Sequence, residues 1–283
     1  VTGLSCDDLA METPRVKKEI IEFYTSRYDE DARLSSTAPG ALEFARTQEL
    51  LRRHLPDAPA SVLDIGGGPA THARWLMADG YSVHLIDPVE RHLRQARSRC
   101  SCTTELGDAR ALTASDQTYD AALLLGPLYH LPDRTDRLQA LHEARRVLRP
   151  GGLTAAAVIS RHSALLDLAA TDRLGSDAVM RTILDSGHHD PALGFTTAYF
   201  HTAEELVSEM TEAGFTDVRL YGIEGPLWPV LKGIETHTGD SLTGSPLLGS
   251  VSTAARLTET DPAIIAASAH IMAIGYRGPR EDR

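Results

Sequence analysis

Cysteine is scarce in this 283-residue chain, with three residues, Cys6, Cys100 and Cys102, and no CxxC pair. That excludes a disulfide scaffold and a zinc site of the usual spacing, and it fits a reducing compartment. Cys100 and Cys102 read as strand-entry residues. Apolar runs are also short, too short to span a bilayer, so no membrane association is expected. No basic segment leads into an apolar stretch near Val1, and a cytoplasmic location is the resulting expectation. Basic residues are outnumbered, 28 Lys and Arg against 39 Asp and Glu, for a formal charge of −11. Proteins that grip nucleic acid through its phosphates need a basic face, so nucleic acid is not an expected partner. What remains is a composition of 42% hydrophobic and 24% charged residues, ordinary for a folded globular chain. A homo-oligomer is left open.

Order along the chain comes from periodicity. Ser61-Val-Leu-Asp-Ile65 reads as a buried strand, followed by a glycine loop and a helix over 70–78 that stops at Gly80. Strands over 81–86, 102–106, 119–125 and 153–159 alternate with helices over 89–99 and 133–148. This alternation predicts an α/β fold with a doubly wound, mostly parallel sheet. It divides the chain into an N-terminal helical lid over 1–55, with helices over 15–27 and 40–55, and a core over 56–160. A cap insertion follows over 161–201, then a return to the core over 202–224. A second cap insertion takes 225–267, and a final core strand and tail take 268–283. In the returning core, Thr202 and Glu205 are spaced as a capping box for a helix closed by Gly214, ahead of a strand over 217–221.

The chemistry is concentrated in a few places. Asp64-Ile-Gly66-Gly67-Gly68-Pro-Ala70 leaves backbone N–H groups open at a helix N-terminus, which suits an adenosine-containing ligand. Gly66 and Gly68 fit the dinucleotide spacing G-x-G-x-x-G, but Thr71 takes its third place. Asp87 lies roughly 20 residues on, where a carboxylate can accept from both ribose hydroxyls. Its alternative role is a helix cap before Pro88. Asp108, after the third strand, could accept from an adenine amino group beside the Ala109 N–H, or serve as another cap. His188-His189-Asp190 suggests a metal, but without a third ligand the expectation is metal independence.

With Val62–Ala70, His84-Leu-Ile-Asp-Pro88, Gly107-Asp-Ala109, Tyr119–Leu125 and Glu143–Gly152 in this order, the chain resembles the class I S-adenosylmethionine (SAM)-dependent methyltransferases. The stretch Phe23–Leu34 looks like the lid opening of the small-molecule methyltransferases of bacterial secondary metabolism, antibiotic biosynthesis among them. The resemblance implies a seven-stranded Rossmann-like sheet with an antiparallel last strand, over 270–276, and SAM as cofactor. It implies that Asp64, Gly66, Gly67 and Gly68 cradle the methionine end, with Asp87 and Pro88 at the ribose. Gly107, Asp108 and Ala109 would then frame adenine, with Leu125, Gly126 and Tyr129 beside the sulfonium. Tyr24 and Tyr28 would close over the cofactor, and Arg33 would pair with its carboxylate; their alternatives are helix packing and a surface ion pair. Ala70 replaces a third glycine. Leu125-Gly-Pro-Leu-Tyr-His130 replaces the Asn-Pro-Pro-Tyr of many nucleobase and protein-amide enzymes, so those substrates are not expected.

For an acceptor that must lose a proton, His130 is the first candidate base, then His162 and His201. With Phe195, Tyr199 and Trp228 in the insertions, the expected acceptor is a largely apolar small molecule, methylated on oxygen, carbon or nitrogen. Alternatives are methylation coupled to rearrangement or cyclisation, a non-catalytic SAM-binding protein, and a nicotinamide dehydrogenase.

Overall fold

The structure is a computed structural model and describes residues 16–28 and 30–279. Cys6, Arg15 and Asp29 lie outside the described residues.

Short apolar runs of the core become β1 (Ser61–Ile65), β2 (Ser82–Asp87), β3 (Thr103–Leu106), β4 (Tyr119–Leu124) and β5 (Leu148–Ile159). A two-stranded ribbon pairs β6 (His188–His189) with β7 (Ala198–Tyr199), and β8 (Phe215–Gly222) and β9 (His270–Arg277) complete the set. Seven of them form one sheet in the order β3-β2-β1-β4-β5-β9-β8. The first five run parallel, and β9 enters antiparallel against β5, with Leu153 opposite Tyr276 and Ile159 opposite His270. The Rossmann-like topology expected from the alternation is therefore present. β5 begins earlier than its apolar run, because Leu148 pairs with Tyr119 before an irregularity in register.

Side chains alternate across the sheet with the period of two that strands impose. Leu63 and Ile65 join one core, with Ala140, Leu141 and Ala144 of α6 (Arg134–Val147) and Leu206 and Met210 of α9 (Ala203–Glu212). Val62 joins the other, with Leu50 and Leu51 of α3 (Ala38–His54), Leu76 of α4 (Thr71–Ala78) and Leu93 of α5 (Glu90–Arg99). The capping box of α9 is formed on both sides: Thr202 Oγ1 accepts from the Glu205 N–H at 3.2 Å and Glu205 accepts from the Thr202 N–H at 2.8 Å.

The predicted N-terminal helix is broken. α1 (Lys18–Glu22) runs into one wide π-turn, Phe23–Arg27, before the short α2 (Glu30–Arg33). The first insertion holds α7 (Ser163–Ala170) and α8 (Asp177–Ser186), which bury Met180 and Ile183 against Ala198 and Phe200. The second holds α10 (Trp228–Thr238), α11 (Pro246–Thr258) and the short α12 (Pro262–Ile265), with Trp228, Leu231 and Val251 packed on Ala38 and Leu42 of α3. Among the described residues, no helix is long and apolar enough to cross a membrane. Cys100 and Cys102 do more than enter β3: their sulfurs are paired, since alternate residues of an extended segment share a face.

Candidate active site

A cavity of about 250 Å³ opens at the C-terminal ends of β1, β2 and β4. Its floor is the glycine loop. Gly66 and Gly68 sit at φ +70° and +57°, where side chains are strained, and a Cβ on Gly66 would lie 2.8 Å from Pro127 Cγ. A Cβ on Gly67 would meet the Asp64 carboxylate at 2.6 Å. Ala70 also takes a left-handed conformation, φ +70°, as the residue before α4.

Two carboxylates frame this loop. Asp87 accepts from the Gly68 N–H at 2.9 Å and the Val89 N–H at 2.8 Å, with His92 Nδ1 at 3.1 Å. It thereby ties the loop to the start of α5 while lining the cavity. Asp64 is 1% exposed, and its Oδ2 has no hydrogen-bond partner among the described residues. Burial, with Asp87 nearby, pushes its pKa up to about 7. A buried carboxylate oxygen without a donor is costly unless a ligand supplies one. The orphaned oxygen and the glycine cradle fit the ammonium end of SAM.

Pro88, Gly107, Ala109, Leu125, Gly126 and Tyr129 also line the cavity. Asp108 lines it too, but its carboxylate is held in a fork by Arg110, at 2.7 and 3.0 Å, and Arg110 reaches on to Asp136 at 2.7 Å. Asp108 also caps the turn after β3, accepting from the Arg110 N–H at 2.9 Å, and any adenine contact would share its carboxylate with that bond and the ion pair.

The opposite wall comes from the N-terminal helical segment. Tyr24 lines the cavity, and its hydroxyl meets His130 Nε2 at 2.8 Å, joining the lid's π-turn to the segment after β4. Burial drops the His130 pKa to about 3 and raises that of Tyr24 well above its usual value, so both are neutral. Tyr28 does not reach the cavity: it stacks on Phe23 at 5.3 Å. Arg33 lines the wall, paired at 2.7 Å with Glu30 and 2.6 Å with Glu43, so its ion pairs lie in the cavity wall and not at the surface, and a cofactor carboxylate would have to share them.

The other two candidate bases are elsewhere. His162 is exposed ahead of α7 and touches no part of the cavity. His201 is fully buried outside it, 3.4 Å from Glu209, which in turn holds Arg137 at 2.7 Å. That network is structural, because Arg137 also lies 3.9 Å over the Tyr199 ring. The insertions do not roof the cavity either. Tyr199 is spent under Arg137 and the Trp228 N–H donates to the Ala267 carbonyl at 3.0 Å, so Phe195, 5.8 Å from the His130 ring, is the one of the three aromatics at the site.

Four residues that sequence reasoning missed complete the wall: Glu43, His72, His270 and, behind it, Glu224. His72 accepts from the Trp75 indole at 3.2 Å, and burial drops its pKa to about 4. His270 Nδ1 lies 2.6 Å from Glu224 and 3.9 Å from Glu43. Ser268 Oγ clasps the base of the second insertion, accepting from the Glu224 and Gly225 N–H groups at 2.9 and 3.1 Å and donating to the Glu224 carboxylate at 2.9 Å. The nearest sequence signals were a histidine just past the glycine loop and a polar residue opening an apolar strand.

Comparison with known proteins agrees with this fold. Residues 62–152 match the methyltransferase domain family. The chain is 33% identical over 131 residues to methyltransferase GfsG of Streptomyces halstedii, covering 44% of this chain and 46% of that protein, so the match spans about half of that relative. It is 27% identical over 234 residues to the ubiquinone/menaquinone biosynthesis C-methyltransferase UbiE of Acidiphilium cryptum, covering 76% and 89% of the two chains. A solved Thermotoga maritima structure, described as a SAM-dependent methyltransferase and possible histamine N-methyltransferase, shares the fold at a TM-score of 0.56 and 20% identity, with 91% and 98% coverage. Residues 62–152 thus carry a methyltransferase domain, and the sheet around them has the Rossmann-like strand order of solved SAM-dependent methyltransferases.

Proposed function

We propose that this protein transfers a methyl group from SAM to an oxygen, carbon or nitrogen of a largely apolar small molecule, a natural-product intermediate. The observation that carries this reading is one cavity lined by the glycine loop, the partnerless Asp64 oxygen and the Tyr24–His130 pair. Ile20, Leu34, Leu125, Leu131 and Ile223 give that cavity its apolar lining. A lid fastened over it suits an acceptor that fits inside and disfavours a macromolecular one.

SAM, when bound, supplies a methyl carbon already activated by positive sulfur. The chain's own residues then hold the partners in line and exclude water, which accounts for much of the achievable acceleration. Asp64 receives an ammonium, and Asp87 holds the Gly68 N–H while lining the ribose position. Tyr24 and His130 form a neutral hydrogen-bonded pair. Because burial disfavours a charged imidazolium, the pair orients an acceptor through hydrogen bonds and does not serve as a strong base.

Calorimetric titration with SAM tests the cofactor half. Asp87→Ala is expected to weaken binding about 100-fold, roughly 2.7 kcal/mol; unchanged affinity would sink the assignment. For the acceptor half, mass spectrometry of ligands retained through purification, followed by SAM assays on those compounds, should reveal a product heavier by one methylene unit.

A further inference from the structure

The pairing of Ile159 with His270 places the first residue of the reversed strand at the edge where the parallel strands end. There His270 lines the cavity beside Ala157 and Ile223, yet the scheme above does not use it. Its ring is firmly oriented. Glu224, whose side chain is 2% exposed, accepts from His270 Nδ1 at 2.6 Å, from the His270 backbone N–H at 2.9 Å and from Ser268 Oγ at 2.9 Å. Nε2 bonds to no described residue and is not among the sealed, partnerless polar atoms, so it remains open to the cavity.

Charge favours a donor at that atom. Burial works against a charged ring, but Glu43 and Glu224 together outweigh it and hold the His270 pKa up to about 9, with Arg33 opposing weakly. Both carboxylates lie on the Nδ1 side, so the proton on Nε2 finds no acceptor within the wall itself. Such a group repels an ammonium and donates its strongest hydrogen bond to an oxygen that carries or develops negative charge.

We propose that the Glu224–His270 pair anchors the methyl acceptor, with Nε2–H donating to an acidic oxygen, so that the substrate is an otherwise apolar phenol or enol. His270 is the contact residue and Glu224 a positioning residue. This rests on the SAM reading above, since the anchor has meaning only beside a bound cofactor.

The test uses the full chain loaded with S-adenosylhomocysteine and titrated with 4-nitrophenol, whose absorbance separates phenol from phenolate. The wild type is expected to bind the probe as phenolate below the pH at which the free probe ionises. His270→Phe should weaken probe binding at least tenfold and return the neutral phenol spectrum. His270→Gln, which keeps a neutral donor, and Glu224→Gln should fall between. S-adenosylhomocysteine affinity by calorimetry should stay within twofold in every variant, which also shows that each is folded. A phenolate signal equal in wild type and His270→Phe, or absent from the loaded wild type, overturns the proposal. So does a large loss of S-adenosylhomocysteine affinity in His270→Phe, which would assign the ring to the cofactor. If the wild type binds no S-adenosylhomocysteine, the SAM reading fails first.

Discussion

The two walls of the cavity are built in opposite ways. On the cofactor side, Asp64 through Ala70 are consecutive, and their closest partner, Asp87, is 19 residues from the Gly68 it holds. On the acceptor side, Tyr24 meets His130 across 106 residues and Glu224 meets His270 across 46. The first wall is fixed by main-chain conformation, the second by side chains that converge only once the sheet is complete. A wall of the first kind tolerates little change and can be read locally. The second can be altered one side chain at a time.

The sharpest way to break this contrast is at Gly66. Gly66→Ala places a Cβ against Pro127 at a left-handed backbone position, which costs about 1–3 kcal/mol of strain. SAM affinity should drop by about 100-fold, read by calorimetry, with a lower unfolding midpoint. Retained affinity would show that the loop is not a rigid cradle.

A smaller effect is expected from pH. The folded pKa of Asp64, about 7, lies above its ordinary value of about 3.9, so the folded protein binds the extra proton between those limits. The Asp64 contribution to stability is therefore fully present below about pH 4 and is lost as pH rises through about 7, by a few kcal/mol at most. Because an ammonium ligand needs the ionised carboxylate, SAM affinity should change the other way, weakening about tenfold per unit below pH 7. Asp64→Asn should remove both dependences. Melting curves and titrations at pH 5.5 and 8 check this, and a variant with the wild-type slopes would refute it.

On the acceptor side the expected changes are gentler. Tyr24→Phe removes one buried hydrogen bond, worth about 1 kcal/mol, and should speed S-adenosylhomocysteine release about fivefold in stopped-flow measurements while leaving the fold intact. His162→Ala should change neither cofactor affinity nor turnover by more than about twofold, because an exposed residue away from the cavity has nothing to lose there. A large effect would relocate the acceptor site.

Legibility followed the same division. The succession of strands and helices, the glycine loop, Asp87 and the α9 capping box are encoded by neighbours, and periodicity with turn chemistry exposes them. The roles of Glu43, His72 and His270 depend on which helix packs across which strand end, which no local pattern records. His201 was misplaced for a related reason. Glu209 lies on the apolar face of α9 beside Leu206 and Met210, all buried. A carboxylate among such neighbours requires buried donors, and Arg137 and His201 supply them. The broken N-terminal helix was hidden as well, since nothing in Phe23–Arg27 forbids an ordinary helix and the wide turn forms where Tyr24 reaches His130.

The Ser268 clasp gives the second insertion a fixed neck of its own. With Glu224 and Ser268 joined at its mouth, the excursion over 225–267 leaves and rejoins the sheet through a closed neck. Its two exits are fixed whatever its contents, and the entropy of closing a longer loop grows only logarithmically with length. Residues beyond the neck that do not pack on α3 can thus be lengthened or shortened while Glu224 continues to orient His270. Divergence among relatives would accumulate there without moving the edge of the sheet.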